Sequence, residues 1–170
     1  LRRITLNDGL AASVSGSLAR ALRLIHNHGL ELLLRHQADW ISGWFLQDWR
    51  WGEEGNNLRL GWDLEARRWL PGLESQPWSS SLPLVRPSGC SLGLIASDQA
   101  ERFDLPRTLQ VIAGTTDSNA AVLAADPQDG DGMTVLGTTL VVKRFTSSPI
   151  SAPGVTAHRV DGRWLCGGAS

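Results

Sequence analysis

The spacing of apolar and polar positions switches several times between a helical and a strand-like period, and those switches mark out the elements. From Ser17 to His28, SLARALRLIHNH sets Leu18, Ala21, Leu22 and Ile25 at helical spacing, with Ser17 as the N-cap and Gly29 as the stop. This predicts an amphipathic surface helix. Its His26 and His28 lie two apart, off a common face, and read as solvated last-turn residues. His36 to Leu46 predicts a second helix, where Trp40 with Trp44 and Ile41 with Phe45 form i,i+4 pairs on an aromatic face read as core. Trp49 and Trp51 read as packing between helices. Asp63 is placed to cap a short helix over Leu64 to Leu70, ended by Pro71 because proline disfavours helical geometry in the residue before it. Pro77, Pro83 and Pro87 then punctuate a loop-rich crossing. Ser91 to Ile95 reads as a strand and Ser97 to Phe103 as a helix capped by Ser97.

In the last third, the mostly apolar run Leu109 to Ala113 stops at Gly114. It gives way through Thr115, Thr116, Asp117 and Ser118 to an alanine-rich segment, which predicts strand, turn and helix. The plain reading of Asp117 or Ser118 is a helix cap. Met133 to Leu136, a break at Gly137, Thr138 and Thr139, and then Leu140 to Phe145 predict a hairpin with a small polar tip and exposed amides. Between these, Asp126 to Gly132 (DPQDGDG) lacks the alternating ligands and closing glutamate of a calcium loop, so it reads as a solvated turn. Near the start, Leu1 to Ala12 predicts only a turn at Asn7-Asp8-Gly9.

Composition narrows the class. With 170 residues the chain can bury one core, or the end of one domain and the start of another. Net charge is −1, and the sixteen basic residues are scattered, against a nucleic-acid footprint. Lys143 is the single lysine, inside a predicted strand and outside any GxxxxGK[ST] pattern. Cys90 and Cys166 form no CxxC pair and the four histidines lack metal-site spacing, which predicts a reduced, metal-free protein. No apolar run approaches the roughly 20 residues that span a bilayer, and no secretory signal pattern opens the chain. These readings predict a cytoplasmic location with no membrane and no nucleic-acid partner. A serine hydrolase using Ser118 with His158 fails because GTTDSNA lacks the GxSxG elbow, and a nuclease lacks a basic face and a carboxylate cluster.

In this order the motifs resemble the middle of the FGGY carbohydrate kinases. Gly114-Thr115-Thr116-Asp117-Ser118-Asn119-Ala120-Ala121 resembles the family's catalytic-aspartate segment, and Leu136-Gly137-Thr138-Thr139 its first phosphate-contacting turn in the second domain. Gly154-Val155, His158, Gly162, Trp164 and the closing Gly167-Gly168-Ala169-Ser170 also fit. His36 to Ile41 and Asn56 to Asp63 resemble the pentulose-kinase branch, of xylulokinase-like and ribulokinase-like members. The loop from Glu53 to Asp63 departs from the family pattern: its acidic position is Glu53 or Glu54, and Asn57 stands where a small residue is usual, so no substrate contact is carried over from it.

The resemblance implies an α/β, ribonuclease H-like, two-domain kinase of the actin-like ATPase superfamily. Residues 1–125 would end the sugar-binding domain and 126–170 would open the ATP-binding one, as an internal fragment. It implies ATP-dependent phosphorylation of a sugar hydroxyl, on a ketopentose such as D-xylulose or D-ribulose, with ATP and Mg²⁺ as cofactors. The partners would be a sugar or polyol and ATP. Asp117 would be the general base, Gly137, Thr138 and Thr139 would hold ATP phosphate, and Thr116 and Ser118 would line the substrate. No metal ligand is assigned. The second reading is a non-catalytic remnant or interaction module that keeps the kinase fold. Because the family's amino-terminal phosphate turn and carboxyl-terminal adenosine segment do not occur in it, the 170-residue chain alone is expected to give no turnover. Measured ATP consumption by the purified chain, abolished in Asp117→Asn, would contradict this.

Overall fold

The computed structural model describes residues 2–5, 9–128 and 130–169, without the side chains of Arg2 and Arg3. Asn7 and Asp8 of the expected first turn, Asp129 of DPQDGDG and Ser170 of the closing motif lie outside the described residues. The chain forms two compact units, Leu1–Gly114 and Thr115–Ser170.

The first unit contains α1 (Arg2–Thr5), α2 (Ser17–His28), α3 (Gln37–Leu46), β1 (Trp51–Glu53), α4 (Glu54–Asn57), β2 (Trp62–Asp63), β3 (Arg68–Trp69), α5 (Pro71–Glu74), β4 (Leu84–Arg86), β5 (Ser91–Leu94), α6 (Ser97–Arg102) and β6 (Gln110–Ile112). Its strands pair two by two: β1 with β4 in parallel, β2 with β3 and β5 with β6 antiparallel. Helix α2 has the predicted span. Its Leu18, Ala21 and Ile25 pack with Leu60, Trp69, Leu73, Trp78 and Leu82 in one core cluster, and the Gly29 N–H donates back to the Ile25 carbonyl at φ 90°. The cap position is Gly16 rather than Ser17, which is the first helical residue and makes no cap bond. At α6 likewise Ala96 stands before the helix, and Ser97 opens it.

Two predictions are corrected by tryptophan packing. In α3 the buried residues are Asp39 and Gly43, while Trp40 and Ile41 are 52% and 44% exposed. The ring of Trp49 takes the space over Gly43, where an added Cβ would come within 2.5 Å of it, and its Nε1 donates to the Trp40 carbonyl at 3.2 Å. Over Leu64 to Leu70 the structure has a hairpin instead of a helix. Asp63 Oδ1 accepts from the N–H groups of Glu65 and Ala66, both at 2.9 Å, and Arg67 turns the chain at φ 52°. Trp62 and Trp69 then meet edge to face across the pair, 5.3 Å between centroids. A helix over this stretch would break that aromatic contact. Pro71 opens α5 at its first position, where proline's missing N–H costs nothing.

Among the described residues, the second unit packs one helix on one sheet: α7 (Asp117–Ala124), β7 (Gly132–Leu136), β8 (Leu140–Thr146), β9 (Thr156–Val160) and β10 (Arg163–Ala169). The sheet is antiparallel in the order β7-β8-β10-β9, and the hairpin predicted around Gly137–Thr139 is its β7–β8 half. Val122 of α7 packs on Phe145, Val160 and Leu165 from the sheet. Among the described residues no helix is long and apolar enough to cross a membrane.

The closing glycine pair has a steric reason. A Cβ on Gly167 would lie 2.1 Å from the Val142 carbonyl oxygen, and one on Gly168 would lie 2.6 Å from that of Gly154. Gly167→Ala should therefore destabilise the second unit by about 1–3 kcal/mol. Gly132→Ala, whose new Cβ meets nothing within 4 Å, should stay within about 0.5 kcal/mol of the original. Denaturant unfolding of the two variants checks the contrast.

Candidate active site

Helix α7 begins differently from either capping residue named above. Thr116 is the N-cap, in extended backbone conformation. Its Oγ1 accepts from the Asn119 N–H at 3.4 Å, and its carbonyl accepts from Asn119 and Ala120 at 3.0 and 2.9 Å. Because Thr116 takes the capping duty, the Asp117 carboxylate is left at the first helical position, exposed to solvent. Its Oδ1 accepts from the Ser118 N–H at 2.7 Å, and the helix's free N–H groups favour a negative charge there. Thr116 and Ser118 flank it, both half-buried. The three residues therefore lie together at one helix start.

Gly137, Thr138 and Thr139 form the three-residue tip between β7 and β8, all exposed, with Leu136 beside them 83% exposed. Around Gly137 a Cβ would meet only the Thr139 carbonyl oxygen, at 3.8 Å, so the backbone there is open to approach. This tip and the Asp117 turn belong to the same unit but to different elements.

A residue with no role assigned from motifs links the Asp117 turn to the strand that leaves the tip. Lys143, on β8, is buried and donates from Nζ to Asn119 Oδ1 at 2.6 Å. Asn119 is fully buried, and its Nδ2 donates to Thr115 Oγ1 at 3.2 Å. Burial draws the Lys143 pKa below the usual lysine value, against the opposing pull of the nearby Asp117 charge. The signal was present in the sequence: on β8 the inward positions are Val141, Lys143 and Phe145, so the single lysine stands in the apolar phase of a strand. Its partner, 24 residues earlier, could not be read from spacing.

The first unit holds a second set of buried polar groups. In its loop Glu53 Oε1 accepts from the Gly55 N–H at 2.8 Å and from Ser88 Oγ at 2.5 Å, and Oε2 accepts from the Asn56 N–H at 2.8 Å. Asp39 Oδ1 accepts from the Glu53 N–H at 3.0 Å and Oδ2 from Asn57 Nδ2 at 2.9 Å. Asn57 thereby ties α4 back to α3. A cavity of about 370 Å³ in this unit borders Arg20, Arg35, His36 and Asn57, and none of the predicted site residues lines it. Among the described residues, no group of three or more His, Cys, Asp or Glu side chains is placed to hold a metal ion.

No protein-family model matches the chain. Among solved structures, the xylulose kinase of Rhodospirillum rubrum superposes with a TM-score of 0.78 and 24% identity, over 92% of this chain and 34% of that one. A ligand-bound xylulose kinase from Lactobacillus acidophilus gives 0.75 and 15% identity, over 99% and 36%. The glycerol kinase of Plasmodium falciparum, with ADP, gives 0.69 and 13%, over 97% and 38%. The mixed α/β fold of this chain is thus that of a part of the sugar kinases. The chain spans about a third of the length of these relatives.

Burial holds both Asp39 and Glu53 above their ordinary carboxylate values of 3.8 and 4.5, their hydrogen bonds only partly offsetting it. A carboxyl group whose folded pKa is raised contributes stability that is full below the unfolded value and is lost as pH rises through the folded one. Unfolding free energy should therefore lose this contribution as pH rises from about 4 towards neutrality. Asp39→Asn should flatten that part of the profile, as urea unfolding at a series of pH values would measure.

Proposed function

We propose that this chain is part of an FGGY-type carbohydrate kinase, with the ribonuclease H-like, actin-like two-domain organisation, acting in the cytoplasm on a ketopentose such as D-xylulose or D-ribulose. Residues 1–125 would belong to its sugar-binding domain and 126–170 to its ATP-binding domain. One observation carries the reading: Asp117 is exposed at a helix start where Thr116 does the capping, in a chain with the sugar-kinase fold. A carboxylate needed for the helix would be a poor base, whereas this one is open to a substrate.

Phosphoryl transfer asks little covalent chemistry of the protein beyond positioning and charge stabilisation. Asp117 takes the proton of the sugar hydroxyl as its oxygen bonds to the terminal phosphorus and the bond to the ADP oxygen breaks. Thr116 and Ser118 flank the carboxylate and orient the hydroxyl. The open backbone at Gly137 and the hydroxyls and amides of Thr138 and Thr139 suit the phosphate oxygens as neutral donors. ATP with Mg²⁺ supplies the activated phosphoryl group and offsets its charge. No residue here is assigned to the metal.

ADP release by the full-length protein with Mg-ATP, tested against D-xylulose, D-ribulose and glycerol, decides the reading. Activity on one sugar that falls by about 10²–10⁴ in Asp117→Asn is the expected result. Activity that survives in the variant places the base elsewhere. A wild-type protein silent on every sugar favours the non-catalytic reading.

A further inference from the structure

We propose that Lys143 is a positioning residue for the transfer step. Through the buried chain Lys143–Asn119–Thr115 it ties the turn carrying Asp117 to the strand that leaves the Gly137–Thr139 tip. The proposal rests on the kinase reading of that site and adds a residue which motif resemblance does not reach.

The geometry brackets the aspartate. Asn119 Nδ2 donates back to Thr115 Oγ1 and its backbone N–H to Thr116 Oγ1, so the turn from Thr115 to Asn119 is closed on itself with Asp117 at its centre. The other end of that side chain is fixed by Lys143 Nζ at 2.6 Å, a charge-assisted bond of the stronger kind. Lys143 itself has little freedom, because β8 is hydrogen-bonded on both sides, with Lys143 opposite Met133 on β7 and opposite Gly167 on β10. Its stem passes over Gly167, where a Cβ would come within 2.7 Å of Lys143 Cγ. Lys143 lies four positions after Thr139, on the strand that leaves the tip, so a shift of the tip is passed to the Asp117 turn through one rigid element.

The energetics argue against simple fastening. A buried ammonium is costly, and an apolar residue of similar volume often serves stability as well or better. Val122, Phe145, Val160 and Leu165 already hold helix to sheet. What an apolar residue could not do is grip Asn119 Oδ1 and so hold Thr115 and Asp117 in one register.

The test uses the full-length protein and whichever of D-xylulose, D-ribulose or glycerol it phosphorylates. Lys143→Met keeps the volume and removes the bond. The expected result is a kcat lower by tenfold or more, KM for sugar and ATP within about threefold, an undiminished thermal midpoint, and partial recovery of kcat in Lys143→Arg. Thr115→Val breaks the far link without touching Lys143 and should lower kcat by threefold or more. Wild-type kcat in Lys143→Met or in Thr115→Val overturns the proposal. So does a loss in which kcat, KM and thermal midpoint fall together, or an arginine variant no better than the methionine one. A wild-type protein silent on every sugar overturns this proposal and the kinase reading together, whereas an active one with unaffected variants overturns the tether alone.

Discussion

A polar side chain withdrawn from water must find its partners within the protein, and the second unit is arranged around that constraint at Asn119. Its amide is fully buried between helix and sheet, and each end has a partner: Lys143 on the oxygen, Thr115 on the nitrogen. Loss of Thr115 would leave the amide nitrogen unsatisfied, whereas loss of Lys143 would unpair the amide oxygen and at the same time relieve the cost of a buried ammonium. The apolar contacts of Val122 with Phe145, Val160 and Leu165 press the helix onto the sheet, but they are non-directional. The amide chain supplies direction, and so the start of α7 has one register.

The same constraint organises the first unit with different chemistry. Asp39 and Glu53 are buried carboxylates that accept from backbone N–H groups, from Asn57 and from Ser88, binding α3, β1, α4 and the loop before β5 to one another. The strands of this unit are short and paired only two by two. Polar bonds with fixed geometry therefore do part of what a wide sheet would otherwise do. Burial lifts both carboxyl pKa values, which is the physical origin of the pH dependence of that arrangement.

The proposed function fits this division between what is fixed and what is left free. Thr116 caps and Asn119 anchors, which leaves Asp117 between them with an exposed carboxylate. The Gly137–Thr139 tip is likewise exposed at the end of a strand fixed on both sides. Reactive groups held on rigid elements, with supporting residues behind them, are what positioning catalysis requires.

The amino-acid sequence determined those features that depend on near neighbours. The helix over Ser17 to His28, the strand-turn-helix around Gly114 and the Gly137–Thr139 hairpin rest on local periodicity and turn residues. The tertiary structure decided which side chains are buried and whom they meet. Trp49 displaced Trp40 from the face of α3, Trp62 and Trp69 turned an expected helix into a hairpin, and Thr116 took the cap assigned to its neighbours. Lys143 met Asn119 across 24 residues. Local propensities amount to tenths of a kcal/mol per residue, whereas burying an indole or leaving a buried amide unpaired amounts to about 1–3 kcal/mol. Where the two disagree, the long-range term wins, and no spacing within a short window records it.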